Sequence, residues 1–358
     1  MQYAQPTILV TGGAGFIGSN FVRMLLAETD AYVVNVDLLT YAGHRASLQD
    51  VLEHDRHEFI EGDIADAELM AMLFRERQPT AIVHLAAETH VDRSIDGPDA
   101  FTRTNVLGTG VLLRTCLEYW EAADASLQAA FRFLHVSTDE VYGSLALDAA
   151  PFSEVHPYDP SSPYAASKAG SDHLVRAFHR TYGLPTVITN SSNNYGPYQF
   201  PEKLIPLMTL RALARHSLPL YGDGQHVRDW LFVEDQCRAL LTALHQGIPG
   251  KSYNIGASAE RTNQQIVEMI CDAVDTRLTE RSLGETRQQI TYVADRPGHD
   301  RRYAIDASQI RSLGWRPQVE LNDGIQRTVA WYAEHPEWVA AVSRDFDRER
   351  RLGIRDKR

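Results

Sequence analysis

The chain has 358 residues, 44% hydrophobic and 23% charged, the balance of a globular protein with one large or two closely joined domains and a sizeable core. A net charge of -12 argues against a nucleic-acid partner, although a local cluster of Arg and Lys could still hold an anionic small molecule. No apolar run approaches the ~18 residues of a membrane span, no leader pattern precedes the first strand, and Cys116, Cys237 and Cys271 lie far apart without metal-ligand spacing. The expectation is a cytoplasmic protein with buried thiols, no metal and no membrane partner.

In chain order, Thr7-Ile-Leu-Val10 reads as a short buried strand, followed by Gly12-Gly-Ala-Gly15-Phe16-Ile17-Gly18 and a helix over 19–28. Gly13, Gly15 and Gly18 give the G-x-G-x-x-G spacing, which allows a tight turn, close backbone approach to a pyrophosphate and close packing of helix on strand. The next strand, Tyr32 to Val36, ends in Asp37, an acid at roughly 20 residues beyond the glycines, where a ribose hydroxyl partner stands in dinucleotide-binding folds. The combination points to NAD rather than NADP. Gly12, Gly15, Phe16, Ile17, Gly18 and Asp37 are the candidate cofactor residues.

A strand over 58–61, a helix over 67–77 and a buried strand over 80–87 continue the alternation. Asp63 and Ile64 stand where they could contact adenine, and Ala86 and Ala87 permit close approach of the cofactor. A helix over 99–120, a strand over 131–137, a helix over 163–182 and a strand over 185–190 complete an α/β, Rossmann-like, doubly wound parallel sheet.

Thr138-Asp139-Glu140 follows the strand ending at Ser137, at the sheet edge where ligands bind in such folds. Tyr164 and Lys168 are four apart after the helix-start signal Ser161-Ser-Pro163, so they share a helix face. An ammonium there should lower the phenol pKa and make Tyr164 a usable base. Tyr and Lys at this spacing usually mark a solvated face, and acids after a strand usually cap a helix. The glycine loop upstream shifts both toward chemistry.

After Asn190 the composition turns to Asn, Tyr, Gly and Pro; helices over 202–216 and 262–274 and short strands at Phe232-Val233 and 253–255 suggest a smaller, partly interleaved substrate-binding domain. The division expected is 1–195 for the nucleotide-binding domain, with 229–257 returning to it, 196–228 and 258–335 for the smaller domain, and a charged tail over 336–358.

From about residue 7 to about residue 335 the chain resembles the extended short-chain dehydrogenase/reductases, and within them the dTDP-glucose 4,6-dehydratases of deoxysugar synthesis. The general part of the resemblance is Gly12 to Gly18 with Tyr164 to Lys168; the specific part is Thr138-Asp139-Glu140. Supporting stretches are Glu88 to Ser94, Asn193 to Tyr198, Pro201 to Pro206, Arg228 to Leu231 and Arg296 to Tyr303. The resemblance implies tightly bound NAD, regenerated in each turnover, and a nucleotide-sugar substrate. It assigns catalysis to Thr138, Asp139 as acid, Glu140 as base, Tyr164 and Lys168, and adds Asn193 to the cofactor residues. It places Glu88, Asn194, Glu202, Lys203, Arg228, Asn263 and Tyr303 around the substrate, with Lys203 and Arg228 toward the pyrophosphate. It also implies a homodimer through helices 99–120 and 163–182. Thymine or uracil as the base stays open. A 4-epimerase, which needs no acid-base pair at carbons 5 and 6, is the first rival; a catalytically silent NAD-binding protein is the second.

Overall fold

The computed structural model describes residues 5–278, 280–282, 284–295 and 298–343; Arg296 and the charged segment 344–358 lie outside them. The strands are β1 (Thr7–Thr11), β2 (Tyr32–Asp37), β3 (His57–Glu61), β4 (Ala81–His84), β5 (Arg132–Thr138), β6 (Thr186–Ser191), β7 (Asn193–Tyr195), β8 (Leu218–Tyr221), β9 (Val227–Phe232), β10 (Ser252–Ile255), β11 (Glu260–Thr262) and β12 (Ile290–Val293). Seven form one sheet in the order β10-β6-β5-β4-β1-β2-β3, with every neighbouring pair parallel. The order reverses between β1 and β4, and at such a switch point the loops leaving the strand ends part to open a crevice.

Both faces of this sheet are covered. One carries the helices Phe16–Glu28 and Val233–Gln246, which bury Phe21, Leu25, Leu240 and Ala243. The other carries Ala67–Arg77, Thr109–Ala122 and Pro163–Tyr182, which bury Met70, Phe74, Leu112, Leu113 and Val175. Each large apolar side chain so buried contributes about 1.5–3 kcal/mol. A separate core joins the helices Leu204–Leu213, Asn263–Arg277 and Leu321–Glu334 beside a three-stranded sheet ordered β11-β9-β7.

Local signals fix the element ends. Asp66 caps the Ala67–Arg77 helix by accepting from the Glu68 and Leu69 amides, and Gln78 closes it in the left-handed region at φ 45°. Ser162 and Pro163 open the Pro163–Tyr182 helix, and Gly183 ends it at φ 76°.

Three expectations are corrected. The segment 99–120 is not one regular helix: Thr102–Gly108 is a π-helical stretch, and its Asn105 side chain bonds both backbone groups of Glu88 and the Ser167 hydroxyl. Val233 starts a helix instead of ending a strand, because Phe232 closes β9 and the Glu234 and Asp235 that follow suit a helix first turn. Residues 336–342, expected in a charged tail, form the helix Pro336–Val342, whose Trp338, Val339 and Val342 are buried against Phe200 and Tyr332.

Candidate active site

A cavity runs along the carboxyl ends of the central strands. Its lining takes in Gly12, Gly15, Phe16, Ile17, Gly18, Asp37, Asp63, Ile64, Ala86 and Asn193, and also Glu88, Thr138, Asp139, Glu140, Tyr164, Lys168, Asn194, Glu202 and Lys203. The fold therefore brings the glycine loop, the acid pair and the Tyr164–Lys168 pair to one cleft.

At the glycine loop, Gly12 sits at φ +75°, and a Cβ there would lie 2.5 Å from the Ala86 nitrogen. A Cβ on Gly18 would lie 2.1 Å from the Gly12 carbonyl oxygen, so the Phe16–Glu28 helix can rest on the loop only without one. The helix N-terminus has no side-chain cap at Gly15, leaving its amides to the cavity. Asp37 is buried, its two oxygens accepting from the Ala14 amide at 2.9 Å and the Leu39 amide at 2.8 Å. Burial raises its pKa and those two bonds oppose the rise. The buried Oδ1 atoms of Asn193 and Asn194 have no hydrogen-bond partner and stand in the same lining. Uncapped amides, close-approach glycines and orphan amide oxygens fit a dinucleotide and a second polar ligand.

At the other group, β5 ends at Thr138, and Asp139–Tyr142 make one 3-10 turn closed by Gly143 at φ +86°. A Cβ on Gly143 would lie 2.3 Å from the Asp159 carbonyl, so this turn holds the acids tight against the strand end. Asp139 is 2% exposed, and its pKa is raised well above the carboxylate range by burial and then by Glu140, with Arg228 opposing. Glu140 is half-buried, and its amide donates to the Thr138 hydroxyl at 3.3 Å. The Thr138 side chain also hydrogen-bonds the Tyr164 phenol.

The ammonium of Lys168 donates to the Val136 carbonyl at 2.8 Å, and burial lowers its pKa to about 8. The expected acidification of Tyr164 is corrected here: burial, followed by the Glu140 charge, raises the phenol pKa, and the Thr138 bond only partly opposes them.

Arg228, Asn263 and Tyr303 are not among the lining residues. Arg228 and Tyr303 gather beside the acid pair: the Arg228 guanidinium lies 4.2 Å from the Tyr303 ring centroid, and the Tyr303 hydroxyl donates to the Asp300 carboxylate at 2.5 Å. The Asn263 amide donates to the His226 carbonyl at 2.9 Å, just ahead of β9. The charge of Glu140 reaches Tyr303, and that of Arg228 reaches Asp139. Close by, the His226 and His299 rings stack at 3.6 Å, and the Asp295 carboxylate contacts both.

Glu202 and Lys203 were expected around the substrate, but the partners His90, Arg93 and Tyr41 that surround Glu202 were missed by sequence reasoning. Glu202 is buried against Arg93, whose Nε lies 3.4 Å away, and His90 at 3.6 Å. Arg93 also stacks 3.7 Å from the Tyr41 ring centroid, and the buried Tyr41 hydroxyl has no hydrogen-bond partner among the described residues. Lys203 donates to the Thr89 carbonyl at 3.1 Å. Leu38, Thr40, Ala42 and Gly43 add a loop to the lining, and nothing in their spacing announces it. Asp172, wholly buried behind Lys168, could have been found from its spacing of four along the helix.

The parallel sheet, the glycine loop and the Tyr164–Lys168 pair are those of an extended short-chain dehydrogenase/reductase. Residues 9–328 match the family model described as GDP-mannose 4,6 dehydratase, and the chain belongs to that family. It is 56% identical over 344 residues to dTDP-glucose 4,6-dehydratase 1 of Escherichia coli (strain K12), covering 94% of this chain and 95% of that one. Among solved structures it is similar to DesIV, a dTDP-glucose 4,6-dehydratase from Streptomyces venezuelae with NAD and TYD bound, at TM-score 0.85 and 47% identity over 94% of this chain and 99% of that one. A UDP-glucose 4-epimerase from Thermotoga maritima with UDP-glucose shares the fold at TM-score 0.81 and 30% identity, covering 92% of this chain and 99% of that one.

Proposed function

We propose that this protein is an NAD-dependent hydro-lyase that converts dTDP-glucose to dTDP-4-keto-6-deoxyglucose in deoxysugar biosynthesis. The observation that carries this reading is the pair Asp139 and Glu140 at the end of β5, one carboxyl buried with its pKa raised, the other half-buried beside it. A 4-epimerase has no use for such a pair.

Bound NAD supplies a hydride acceptor for carbon 4 of the hexose and a hydride donor for carbon 6, so no net oxidation results. The glycine loop would seat its pyrophosphate, Asp37 its ribose, and Asp63, Ile64 and Ala86 its adenine side, with Asn193 and Lys168 toward the nicotinamide end. In its phenolate form Tyr164 takes the proton of the 4-hydroxyl, directly or through the neighbouring Thr138. The ketone acidifies carbon 5. Glu140 then removes the carbon 5 proton, and Asp139 gives its own to the departing 6-hydroxyl, which leaves as water. Return of the proton to carbon 5 by Glu140, as carbon 6 is reduced, forms the product, and passage of the Tyr164 proton to Asp139 through solvent resets the site.

Glu88, Asn194, Glu202, Lys203, Arg228, Asn263 and Tyr303 would hold the nucleotide-sugar, with charge-assisted contacts from Lys203 and Arg228 to its pyrophosphate. The smaller core around the helices Leu204–Leu213 and Asn263–Arg277 would serve as the substrate-binding unit. No helix among the described residues is long and apolar enough to cross a membrane, in keeping with a cytoplasmic enzyme. The exposed Leu107 and Tyr182, at 56% and 50%, lie on the segments through which a homodimer would form. A sedimentation run giving a monomer at micromolar concentration would remove the dimer.

The test is mass spectrometry of the sugar nucleotide after incubation with dTDP-glucose or UDP-glucose, without added cofactor. Loss of one water from dTDP-glucose alone is the expected result. Conversion to the galactose isomer at unchanged mass would make the protein an epimerase, and no change in either substrate would return it to a silent binder.

A further inference from the structure

Tyr164 and Lys168 are the first two rungs of a longer ladder. Tyr164, Lys168, Asp172 and Arg176 follow at four-residue spacing along the Pro163–Tyr182 helix, and therefore share one face. Asp172 has 0% exposure, yet it is crowded with donors. Its Oδ2 accepts from Ser137 at 2.9 Å, from the Tyr158 hydroxyl at 2.8 Å and from the Asn190 amide at 3.3 Å, while His135 Nε2 lies 3.2 Å from Oδ1. The Tyr158 hydroxyl in turn accepts from Arg176 at 2.7 Å, tying the third rung to the fourth.

Such a shell fixes a carboxylate as an anion even in a dry site. Burial alone would raise the Asp172 pKa, but His135, Lys168 and Ser137 together hold it below the usual range. Lys168 has the opposite problem. It is buried too, its ammonium hydrogen-bonds the Val136 carbonyl, and burial lowers its pKa while Asp172 pushes it back up.

We infer that Asp172 is a positioning residue for the reaction: from one helical turn behind Lys168 it keeps the lysine cationic and in place beside Tyr164. The inference rests on the assignment of Tyr164 and Lys168 made above. The groups facing Asp172 are Tyr164, Lys168 and Arg176 from its own helix, His135 from β5, Tyr158 from the loop before the helix and Tyr142 from the turn after β5. Of these, Tyr164 and Lys168 line the cavity, and Lys168 is the one whose charged form the Asp172 anion favours.

The sign follows from the charge. Activity that needs the ammonium is lost as pH rises through the Lys168 pKa, about 8 in this chain. Neutralising Asp172 removes the opposing anion, so that loss must begin at lower pH.

The experiment is the pH profile of kcat/KM for dTDP-glucose dehydration, measured with excess NAD on the wild type, Asp172→Asn, Asp172→Glu and Lys168→Met. Asp172→Asn is expected to move the alkaline limb down by about one pH unit, the lower end of what one close opposite charge contributes, and to lower kcat/KM about fivefold at pH 8. Asp172→Glu, which keeps the charge, restores the limb. If Asp172→Asn lowers activity at every pH but leaves the limb in place, Asp172 is merely structural and the inference falls. Should Asp172→Asn fail to fold, Asp172→Ser, smaller and also uncharged, is judged by the same criterion. Lys168→Met separates the two levels: if it retains full turnover, the site assignment itself fails. If it abolishes turnover while the Asp172→Asn limb stays put, only the inference about Asp172 is lost.

Discussion

The Asp139 carboxyl is biased toward its protonated form because it is shut away from water and because Glu140 stands next to it in the same turn. Two adjacent carboxyls thus have different environments, which is the condition for one to act as acid while the other acts as base.

Asp139→Asn and Glu140→Gln should therefore each abolish water elimination while oxidation at carbon 4 persists. Loss of a general acid or base lowers the rate by about 10²–10⁴-fold. Rapid-quench mass spectrometry of a single turnover checks this: the expected product is a 4-keto sugar that still carries its 6-hydroxyl. Full dehydration by both variants would break the assignment.

Gly18→Ala should cost cofactor binding before it costs the fold. The added Cβ would meet the Gly12 carbonyl at 2.1 Å, so the loop must lift away from the helix whose amides face the cavity. Calorimetric titration with NAD should show weakening of at least about tenfold, equivalent to about 1.4 kcal/mol, with far-UV circular dichroism unchanged.

Trp338→Ala tests the helix Pro336–Val342. The Trp338 ring packs against Tyr198 and Trp331, its Nε1 donates to Ser47 at 3.2 Å, and Tyr41 and Ala42, in the loop along the cavity, pack against the same cluster. Removing a buried Trp costs about 3–5 kcal/mol, so the denaturant midpoint should fall clearly. Because Ala42 also lines the cavity, less NAD should survive gel filtration.

Acid should destabilise the protein from near pH 6.5 downward. His84 and His135 are buried with rings 5.2 Å apart, and burial lowers the pKa of both, that of His135 to about 4. The unfolded chain binds these protons near 6.5 and the native chain does not, so this part of the stability is complete above pH 6.5 and is lost as pH falls toward 4. Thermal melting across that range measures it. A flat profile would mean that the two rings are protonated in the native state.

Much of the site was legible because it is written in short-range patterns. The glycine loop, Asp37 at a strand end, the acid pair after β5 and the Ser162-Pro163 start that sets Tyr164 and Lys168 on one face all follow from spacings within a few residues, and Gly12, Gly15, Gly18, Asp37, Asp139, Glu140, Tyr164 and Lys168 reach the same cavity. Periodicity likewise delivered the parallel sheet, since buried strands separated by helices leave few other ways to cover both faces.

Tertiary structure decided what depends on burial and on distant partners. The phenol of Tyr164 is pushed up and not down because the fold removes it from water and sets Glu140 near it, and no local spacing carries that information. The same holds for Asp172, whose donors come from β5, β6 and the loop before its helix, and for Trp338, drawn into a core with Phe200 and Tyr332 across the chain. Sequence fixes which groups are available and which face of an element they occupy. The electrostatic state of each group depends on dielectric and neighbours, and those exist only once the chain has folded.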